Sequence, residues 1–324
     1  MSKVGKAGVP VSGRPGCVFA GSKETGRLVA LLSLAGAVLL WGTSFMATKA
    51  ALSAFSPLTV VWLRMTMASF LVLLIRKRIP APIYEPGDWK VLAFLCLMQP
   101  CLYFLLEGYA LSLTSSSQAG MISALVPLLV TAGAWAVLKE PVSPTGFAGL
   151  LLSIGGVVWL SLGGVADESS PNPALGNLLE VGAMICAAGY MVVMKRLSAR
   201  YSTWWLTGMQ CVAGAVFFLP GGIFSAPDVW GSVSKQAWMA VAYLGFFVTL
   251  GAFGLYNMAM TFMPAGQAAV AINLVSPVAL AAGWLVMGEV LSFSQLLACG
   301  VVACGVWLGN VSVSFRKSRG VEQA

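Results

Sequence analysis

The stretch SQAGMISALVPLLVTAGAWAVLKEPVS, residues 117–143, recurs without a gap as GQAAVAINLVSPVALAAGWLVMGEVLS, residues 266–292. Apolar identities arise easily between membrane-type segments, whereas Gln, Trp and Glu in one common register do not. The chain therefore contains an internal repeat, and this repeat decides the fold. The aligned pairs are Gln118 with Gln267, Leu125 and Val126 with Leu274 and Val275, Trp135 with Trp284, Glu140 with Glu289, Ser143 with Ser292 and Gly156 with Gly305.

The composition is that of a membrane protein. Of the 324 residues, 58% are hydrophobic and 9% are charged, and the mean hydropathy is +0.86. A soluble domain carries about a quarter charged residues, so this chain is expected to cross the membrane several times and to contact lipids. The net charge of +8 does not indicate nucleic-acid binding, because Lys and Arg lie in short clusters between apolar runs rather than along one polar face.

Ten apolar runs are long enough to cross a membrane as helices, which takes about 20 residues each. The first follows Lys23 and Arg27 but lacks a small-residue cleavage site, so it is a retained helix rather than a signal peptide. The sequence thus predicts an all-α polytopic membrane protein. We number the predicted spans 1 to 10, and they cover residues 27–48, 57–75, 89–110, 116–138, 145–164, 174–194, 203–222, 236–258, 266–287 and 293–312.

The repeat divides these spans into two halves of five helices, at residues 27–164 and 174–312. Because five is odd, the second half enters the membrane from the opposite side, which gives two inverted five-helix repeats. Inverted repeats are typical of secondary transporters, whose substrate site lies between the repeats near the bilayer midplane. Pro100, Pro127 and Pro277 each free a backbone carbonyl inside a span, which requires protein or water to satisfy it, although a simple packing kink is an equal alternative.

The distribution of basic residues predicts the orientation. With the N-terminus inside, the cytoplasm receives the basic N-terminal tail (residues 1–26, expected to be disordered), the loops after spans 2 and 6, and the C-terminal tail (residues 313–324). The other side keeps little beyond Lys49 and Lys235. The positive-inside rule therefore predicts a multi-pass plasma (inner) membrane protein with both termini in the cytoplasm.

Several chemistries lack their usual residues. The chain has no histidine, which removes the commonest general base and metal ligand, and its seven cysteines form no CxxC pair. The cysteines are interpreted as packing residues, and no metal and no cofactor are expected. An integral membrane enzyme acting on lipid is the alternative of a different class, but no Walker motif, GxSxG or metal-ligand cluster supports it. No repeated filter motif indicates a channel.

The sequences LLWGTSFMATKAAL (39–52), SPLTVVWLRM (56–65) and LVSPVALAAGWLVMGEVLSFSQLLACGVVACGVWLG (274–309) resemble the EamA-type branch of the drug/metabolite transporter superfamily. The resemblance covers about residues 27–312 and implies ten helices in two inverted repeats that work without ATP. It implies export of amino acids, other small metabolites or drugs, without indicating which. The second half departs at the arginine of span 2, since Gln210 lies near the position equivalent to Arg64.

Ionisable residues inside spans are functional hypotheses by default. For Arg64 the alternatives are a structural partner, a contact to a substrate carboxylate and snorkelling. Glu107 lies at a similar depth, and its three roles are partner of Arg64, binder of a substrate cation and proton carrier, the first two being favoured. For Glu180 headgroup-level solvation is expected. Glu140 and Glu289 are expected to stabilise the start of the helix that follows each.

Uncharged residues complete the predicted substrate pocket, since ligand sites commonly mix aromatic faces with amide groups. The Thr114–Ser117 run is expected to form the turn that caps span 4. Small faces on spans 5 and 10, at Gly149, Gly155, Gly156, Gly300 and Gly305, permit close helix approach or a homodimer contact. The substrate-site candidates are Trp41, Arg64, Tyr103, Glu107, Tyr109, Gln118, Tyr190, Tyr256, Asn257, Gln267 and Asn273.

The sequence therefore predicts a secondary transporter that exports amino acids or similar small polar metabolites by alternating access between the repeats. A multidrug or nucleotide-sugar carrier is the alternative within the same class. The sequence leaves open the substrate, the direction of transport, ion coupling and the oligomeric state.

Overall fold

The computed structural model describes residues 23–138, 144–163, 166–197, 200–224, 233–262 and 272–321. Every regular element in these ranges is helical, as the membrane requires, because a helix satisfies its own backbone hydrogen bonds in the absence of water. The helices are α1 (Lys23–Leu52), α2 (Pro57–Ile75), α3 (Asp88–Cys96), α4 (Tyr103–Leu113), α5 (Ser116–Ile122), α6 (Val126–Leu138), α7 (Pro144–Leu162), α8 (Pro173–Leu197), α9 (Thr203–Phe217), α10 (Leu219–Ile223), α11 (Lys235–Ala242), α12 (Phe253–Phe262), α13 (Val275–Met287) and α14 (Phe293–Val321).

Seven helical stretches in the described ranges are long and apolar enough to cross a membrane, and they coincide with predicted spans 1 to 6 and 8. The other three predicted spans hold α9 with α10, α13, and α14, whose apolar stretch Phe293–Leu308 is shorter than the seven. Predicted span 9 begins at residue 266, and residues 266–271 lie outside the described residues. The seven stretches are Thr25–Leu52, Pro57–Arg78, Asp88–Leu113, Ser116–Gly133, Pro144–Leu162, Pro173–Met194 and Lys235–Tyr256.

The structure describes parts of the two predicted tails. Residues 1–22 lie outside the described residues, whereas α1 already begins at Lys23, so residues 23–26 are helical. At the other terminus α14 continues to Val321, through most of the segment predicted as a tail.

Serine side chains cap the first turns of several helices, among them α14, where Ser292 Oγ accepts a hydrogen bond from the amide of Gln295. Ser56 Oγ accepts a hydrogen bond from the amide of Thr59 at the start of α2, and Ser115 Oγ accepts one from Gln118 at the start of α5. Ser234 caps α11 in the same way. Each cap satisfies a first-turn amide that has no partner within its helix. The predicted capping role of the Thr114–Ser117 run is thus confirmed at Ser115.

Two helical stretches are interrupted at corresponding positions. The Leu97–Leu102 segment between α3 and α4 is π-helical, and Gln99 within it has a non-helical backbone at φ −144° and ψ 121°. The Tyr243–Ala252 segment between α11 and α12 is also π-helical. The offset that aligns Gln118 with Gln267 carries Leu97–Leu102 onto residues inside Tyr243–Ala252. Such bulges are frequent at functional sites.

The helices α7 and α14 pack closely through reciprocal contacts. A Cβ on Gly156 would lie 2.9 Å from the backbone nitrogen of Val302, and a Cβ on Gly305 would lie 2.7 Å from that of Ser153. The repeat relates Gly156 to Gly305 and, by the same offset, Ser153 to Val302. The predicted close approach is therefore confirmed for these two glycines. A Cβ added at Gly155 or Gly300 would have no atom within 4 Å.

Large apolar side chains cover much of the outer surface. Leu32, Phe70 and Trp284 are each more than half exposed on the protein. A soluble protein would bury such residues, but lipid tails solvate them as well as a protein core does, so packing and polar contacts drive helix association instead. The polar groups inside the bundle therefore decide how the helices fit together.

Candidate functional site

Arg64 on α2 lies inside the bundle, with its side chain held at two points. Its Nε donates a hydrogen bond of 2.8 Å to Thr249 Oγ1 in the Tyr243–Ala252 segment. Its Cζ lies 4.4 Å from the centre of the Phe104 ring, a cation–π distance. Arg64 is only 7% exposed, so the snorkelling alternative is wrong.

A cavity of about 30 Å³ lies beside this arginine. Two water molecules fit in a space of about this size. The walls come from α2, the Leu97–Leu102 segment with α4, α9, and the Tyr243–Ala252 segment with α12, so both halves of the chain contribute. The lining residues are Arg64, Met65, Gln99, Pro100, Phe104, Thr207, Gln210, Cys211, Thr249 and Phe253.

Gln210 and Arg64 make matching contacts across the cavity. Gln210 Nε2 donates a hydrogen bond of 2.7 Å to the backbone carbonyl of Gln99. Each side chain thus reaches from the second span of one half to the interrupted helix of the other half. The Gln99 contact also satisfies a carbonyl at the Pro100 interruption, as predicted for a proline inside a span.

Glu107 lies near Arg64, but the expected ion pair is absent. Its carboxylate accepts a hydrogen bond of 2.6 Å from the hydroxyl of Tyr103, one turn earlier on α4. Glu107 and Arg64 interact electrostatically, yet their charged atoms are not within the 4.0 Å of an ion pair; the ion pairs of the described residues belong to Arg200. The Thr249 hydroxyl and the Phe104 ring hold Arg64 instead.

Glu180 on α8 corrects the expectation of headgroup solvation. Its side chain is 0% exposed, and neither carboxyl oxygen has a hydrogen-bond partner among the described residues. It interacts electrostatically with Glu107. Arg64, Glu107 and Glu180 are thus all buried among the residues that the structure describes.

The predicted aromatic residues separate into different environments. Trp41 packs against Phe253, a cavity residue, at 5.6 Å between ring centres, and against Tyr256 at 5.5 Å. Tyr190 is buried in an apolar cluster with Leu95 and Tyr201. Tyr109 is 41% exposed on the outer surface of α4. Trp41 thus contacts a residue of the cavity wall and Tyr256 contacts Trp41, while Tyr109 and Tyr190 do not line the cavity.

Of the predicted amide residues, Gln118 and Asn273 do not line the cavity beside Arg64. Gln118 is buried near the C-terminal end of α4, where its side-chain oxygen accepts a hydrogen bond of 2.8 Å from Asn177. Asn273 has a buried side-chain oxygen without a partner in the described chain. Asn257 belongs to α12, with a side chain that is not among the described ones, and Gln267 lies outside the described residues.

One end of the bundle, which we call the Lys49 end, is closed by polar contacts. Lys49 Nζ donates to the backbone carbonyls of Thr114 and of Ser169, the latter at 2.8 Å. In the same loop, the hydroxyl of Ser169 donates to Asp167 and lowers the pKa of that exposed carboxyl. A buried ammonium thus connects the end of α1 to the turn after α4 and to the loop before α8.

Glu289 joins the halves at the Lys49 end. Its carboxylate accepts hydrogen bonds of 2.8 Å from the amides of Ser116 and Ser117 and of 2.9 Å from Ser116 Oγ. It therefore caps α5 from the other half, not the helix that follows it, and the expectation for Glu289 is wrong in this respect. Gly288, at φ +68°, ends α13 in the left-handed region and directs Glu289 there. Glu140 lies outside the described residues.

The opposite end of the bundle, the Arg200 end, carries a charged network. Arg200 pairs with Asp88 and Glu85, each at 2.8 Å, and Tyr201 donates a hydrogen bond of 2.7 Å to Asp88. The hydrogen bond to Asp88 raises the pKa of Arg200. Burial, followed by the Asp88 contact, raises the pKa of Tyr201 to about 12. Tyr201 is 2% exposed, so protein rather than lipid surrounds it.

Sequence reasoning missed three residues that these sites use. Thr249 lies where the repeat offset carries Pro100, so the repeat could have indicated it. Asn177, which joins Gln118, is an amide within a span and was passed over. Asp88 was read as part of a loop, and its partner Arg200 is too distant in sequence for any local pattern to indicate the pair.

The described residues contain no group of three or more His, Cys, Asp or Glu side chains suited to a metal ion. What the buried site offers is a guanidinium, a carboxylate with a tyrosine hydroxyl, and aromatic walls. Such a set can bind the two charges of a small zwitterion, because a guanidinium forks onto a carboxylate and a carboxylate accepts from an ammonium.

Comparisons with known proteins agree on the type of protein. The profile of the EamA-like transporter family matches residues 28–162 and again 174–311. The uncharacterized transporter YetK of Bacillus subtilis (strain 168) is 26% identical over 288 residues, 87% of each chain. The S-adenosylmethionine/S-adenosylhomocysteine transporter of Chlamydia trachomatis serovar L2 is 27% identical over 82% of this chain and 84% of its own. One crystal structure is similar with a TM-score of 0.59 and 24% identity, covering 90% of this chain and 98% of the other.

Proposed function

Because the chain belongs to the EamA-like transporter family, we propose that it is a secondary transporter that exports amino acids or similar small polar metabolites. The single observation that carries this proposal is the buried Arg64 guanidinium at a cavity lined by both halves of the chain. A buried cation in a membrane is costly, and it is retained where it binds a substrate or ion. The family and the relatives indicate a transporter rather than an enzyme.

The transport pathway in this proposal runs between two inverted five-helix repeats, with ten membrane crossings. Two reciprocal sets of contacts support the inversion: Gly156 and Gly305 between α7 and α14, and the hydrogen bonds of Arg64 and Gln210 across the cavity. Reciprocal contacts are expected when a two-fold axis relates two copies of one unit. The positive-inside rule places both termini in the cytoplasm of the plasma membrane.

Alternating access follows from the size of the cavity in this proposal. A space of about 30 Å³ holds about two water molecules and no amino acid. The halves must therefore separate to admit substrate, and the polar contacts at the Lys49 end and the Arg200 end are the ones that open in turn. These contacts are separated by the Asp88–Leu113 stretch, which leads from one end to the other.

In this proposal the buried side chains each bind one part of the substrate. Arg64 binds the substrate carboxylate, and Glu107, oriented by Tyr103, binds its ammonium group. Trp41 and Tyr256 supply the apolar wall for the side chain. A relative named as an S-adenosylmethionine/S-adenosylhomocysteine transporter supports this choice, since those compounds carry an amino-acid group. A multidrug or nucleotide-sugar carrier remains the alternative, and the aromatic contacts of Trp41 favour it over a purely polar site.

Transport in sealed proteoliposomes tests the proposal. A panel of labelled amino acids, nucleotide sugars and cationic dyes is offered to the wild type, and amino acids are expected to move. Arg64→Lys is expected to lose most of this transport, because Lys keeps the charge but not the forked donor. Arg78→Gln, in the exposed turn after α2, is the matched control and retains transport. Movement of dyes or sugars alone would reject the amino-acid assignment.

A further inference from the structure

The buried carboxyl group of Glu180 has no part in the substrate site described above. It is fully enclosed by protein and lacks any hydrogen-bond partner among the residues that the structure describes. An ionised carboxylate cannot remain there without a partner, because its desolvation is not compensated. The neutral form, which holds a proton, is the one that this environment stabilises.

Helix packing places Glu180 beside Glu107. A Cβ on Gly176 would lie 2.9 Å from the amide nitrogen of Thr114, and a Cβ on Gly182 would lie 3.3 Å from the Leu106 side chain. These contacts fix the antiparallel register of α8 against α4, with Glu180 between the two glycines and level with the Glu107 turn. The two carboxyl groups interact electrostatically, and Glu180 interacts with Tyr103 as well.

Few other titratable groups surround Glu180. The helices α5, α6 and α7 and the Ser123–Leu125 turn, which pack against α8, contain none in their sequences. Arg64 interacts electrostatically with Glu107 and with Tyr103. Tyr109, the remaining titratable residue of α4, is exposed on the outer surface of that helix. The other titratable residues of α8, of α3 and of the Leu97–Leu102 segment lie toward the Arg200 end, and they are Asp88, Lys90, Cys96, Cys101, Cys186, Tyr190, Lys195 and Arg196.

We propose that Glu180 and Glu107 form a proton site that exchanges one proton for the cationic group of the substrate. Arg64 balances one carboxylate, so the second stays protonated while the site is empty. When a substrate with one net positive charge binds, its carboxylate pairs with Arg64 and its ammonium with Glu107. Its second cationic group then replaces the proton of Glu180, and this proton passes to water on the side to which the halves open. This inference rests on the proposed transport function, and it makes the protein an exchanger of substrate against protons.

A proton fits this site better than a metal cation does. Hard metal cations require about six or more oxygen ligands, whereas the Glu180 oxygens have no polar neighbour within hydrogen-bonding distance in the described chain. A proton needs one oxygen only. The same surroundings therefore favour protonation of Glu180 over binding of sodium or a divalent ion.

Infrared difference spectroscopy on the purified full-length protein tests the proton site without any substrate. Raising the pH from neutral to alkaline, with deuterium exchange as a marker, is expected to remove a carbonyl band of a protonated carboxylic acid. Glu180→Gln is expected to lose this band and to fold, since Gln mimics the neutral acid in shape. Glu168→Gln, in an exposed loop, is the control and keeps the band. A band that persists in Glu180→Gln would overturn the assignment.

Proteoliposomes test the coupling separately. In the wild type a pH gradient is expected to drive accumulation of a transported amino acid that carries a cationic side chain. In Glu180→Gln the ratio of gradient-driven flux to substrate exchange is expected to fall to background. Accumulation driven equally by a sodium gradient, or a ratio unchanged in the variant, would overturn the coupling. If no panel compound moves in the wild type, the transport function fails while the infrared result still decides the proton site.

Discussion

Replacing Glu289 tests whether the contact between the halves at the Lys49 end stabilises the fold. The carboxylate accepts from two first-turn amides and one hydroxyl of α5. Hydrogen bonds to a charged group contribute about 1.5–3 kcal/mol each, and a negative charge at a helix N-terminus adds about 0.3–1 kcal/mol. Because Glu289 is only partly buried, water replaces part of what is lost. We therefore expect Glu289→Ala to lower the free energy of unfolding by about 3 kcal/mol.

Glu289→Gln separates charge from hydrogen bonding. Gln keeps one carbonyl oxygen and loses the charge and the second acceptor, so about half of the loss is expected, about 1.5 kcal/mol. The assay is unfolding by sodium dodecyl sulfate in mixed micelles, followed by tryptophan fluorescence. Glu168→Ala, whose side chain is exposed, is the control, and a surface change of this kind stays within about 0.5 kcal/mol.

Hydrogen exchange provides the second readout. The amides of Ser116 and Ser117 donate to Glu289, so both are expected to exchange faster in Glu289→Ala than in the wild type. An unfolding free energy equal to that of the Glu168→Ala control, together with unchanged exchange at these two amides, would refute the reasoning.

Three further predictions concern other parts of the bundle. Gly156→Ala is expected to lower the free energy of unfolding by about 1–3 kcal/mol by overpacking, because the added Cβ would meet the Val302 backbone. The adjacent Gly155 has open space for a Cβ, so Gly155→Ala is expected to be neutral or stabilising. Equal effects of the two substitutions in the same unfolding assay would contradict the packing. Arg200→Gln is expected to unfold at a lower denaturant concentration than the exposed control Lys77→Gln, since it removes the pairs with Asp88 and Glu85, and Arg200→Lys is expected to restore little because it lacks the fork. The pKa of Tyr201 is about 12 against an ordinary value of 10.0, so its protonated hydroxyl stabilises the fold below pH about 10, and this contribution is lost as the pH rises toward 12. Tyr201→Phe is expected to flatten the decline of stability at alkaline pH. An unchanged pH profile of stability in this variant would contradict the role of Tyr201.

Much of the fold could be predicted because membrane spans are local properties of the sequence. Seven predicted spans coincide with helical stretches of sufficient length and apolarity. A single run of about 20 apolar residues can satisfy its backbone hydrogen bonds in lipid only as a helix. The cap at Ser115 and the interruption at Pro100 were likewise readable, because each depends on a few neighbouring residues.

The partners of the polar residues could not be predicted in the same way. Arg64 was expected to meet Glu107, yet Thr249, 185 residues away, holds it. Glu289 was assigned to the helix after it, yet it caps one that begins 173 residues earlier. Pairing of this kind depends on which helices are neighbours and on how each is rotated, and no local pattern encodes either.

The sequence by itself determined that this is a helical membrane protein built from a repeat, because hydropathy and internal similarity can be recognised from the order of the residues alone. Only the tertiary structure decided that Glu180 is sealed from solvent beside Glu107, and that Arg64 and Gln210 each reach into the opposite half. The physical reason is that a buried polar group is satisfied by whatever packing brings within about 3 Å. That distance is set by the close approach of helices at glycines such as Gly176 and Gly182, whose contacts, Thr114 and Leu106, lie far from them in the sequence.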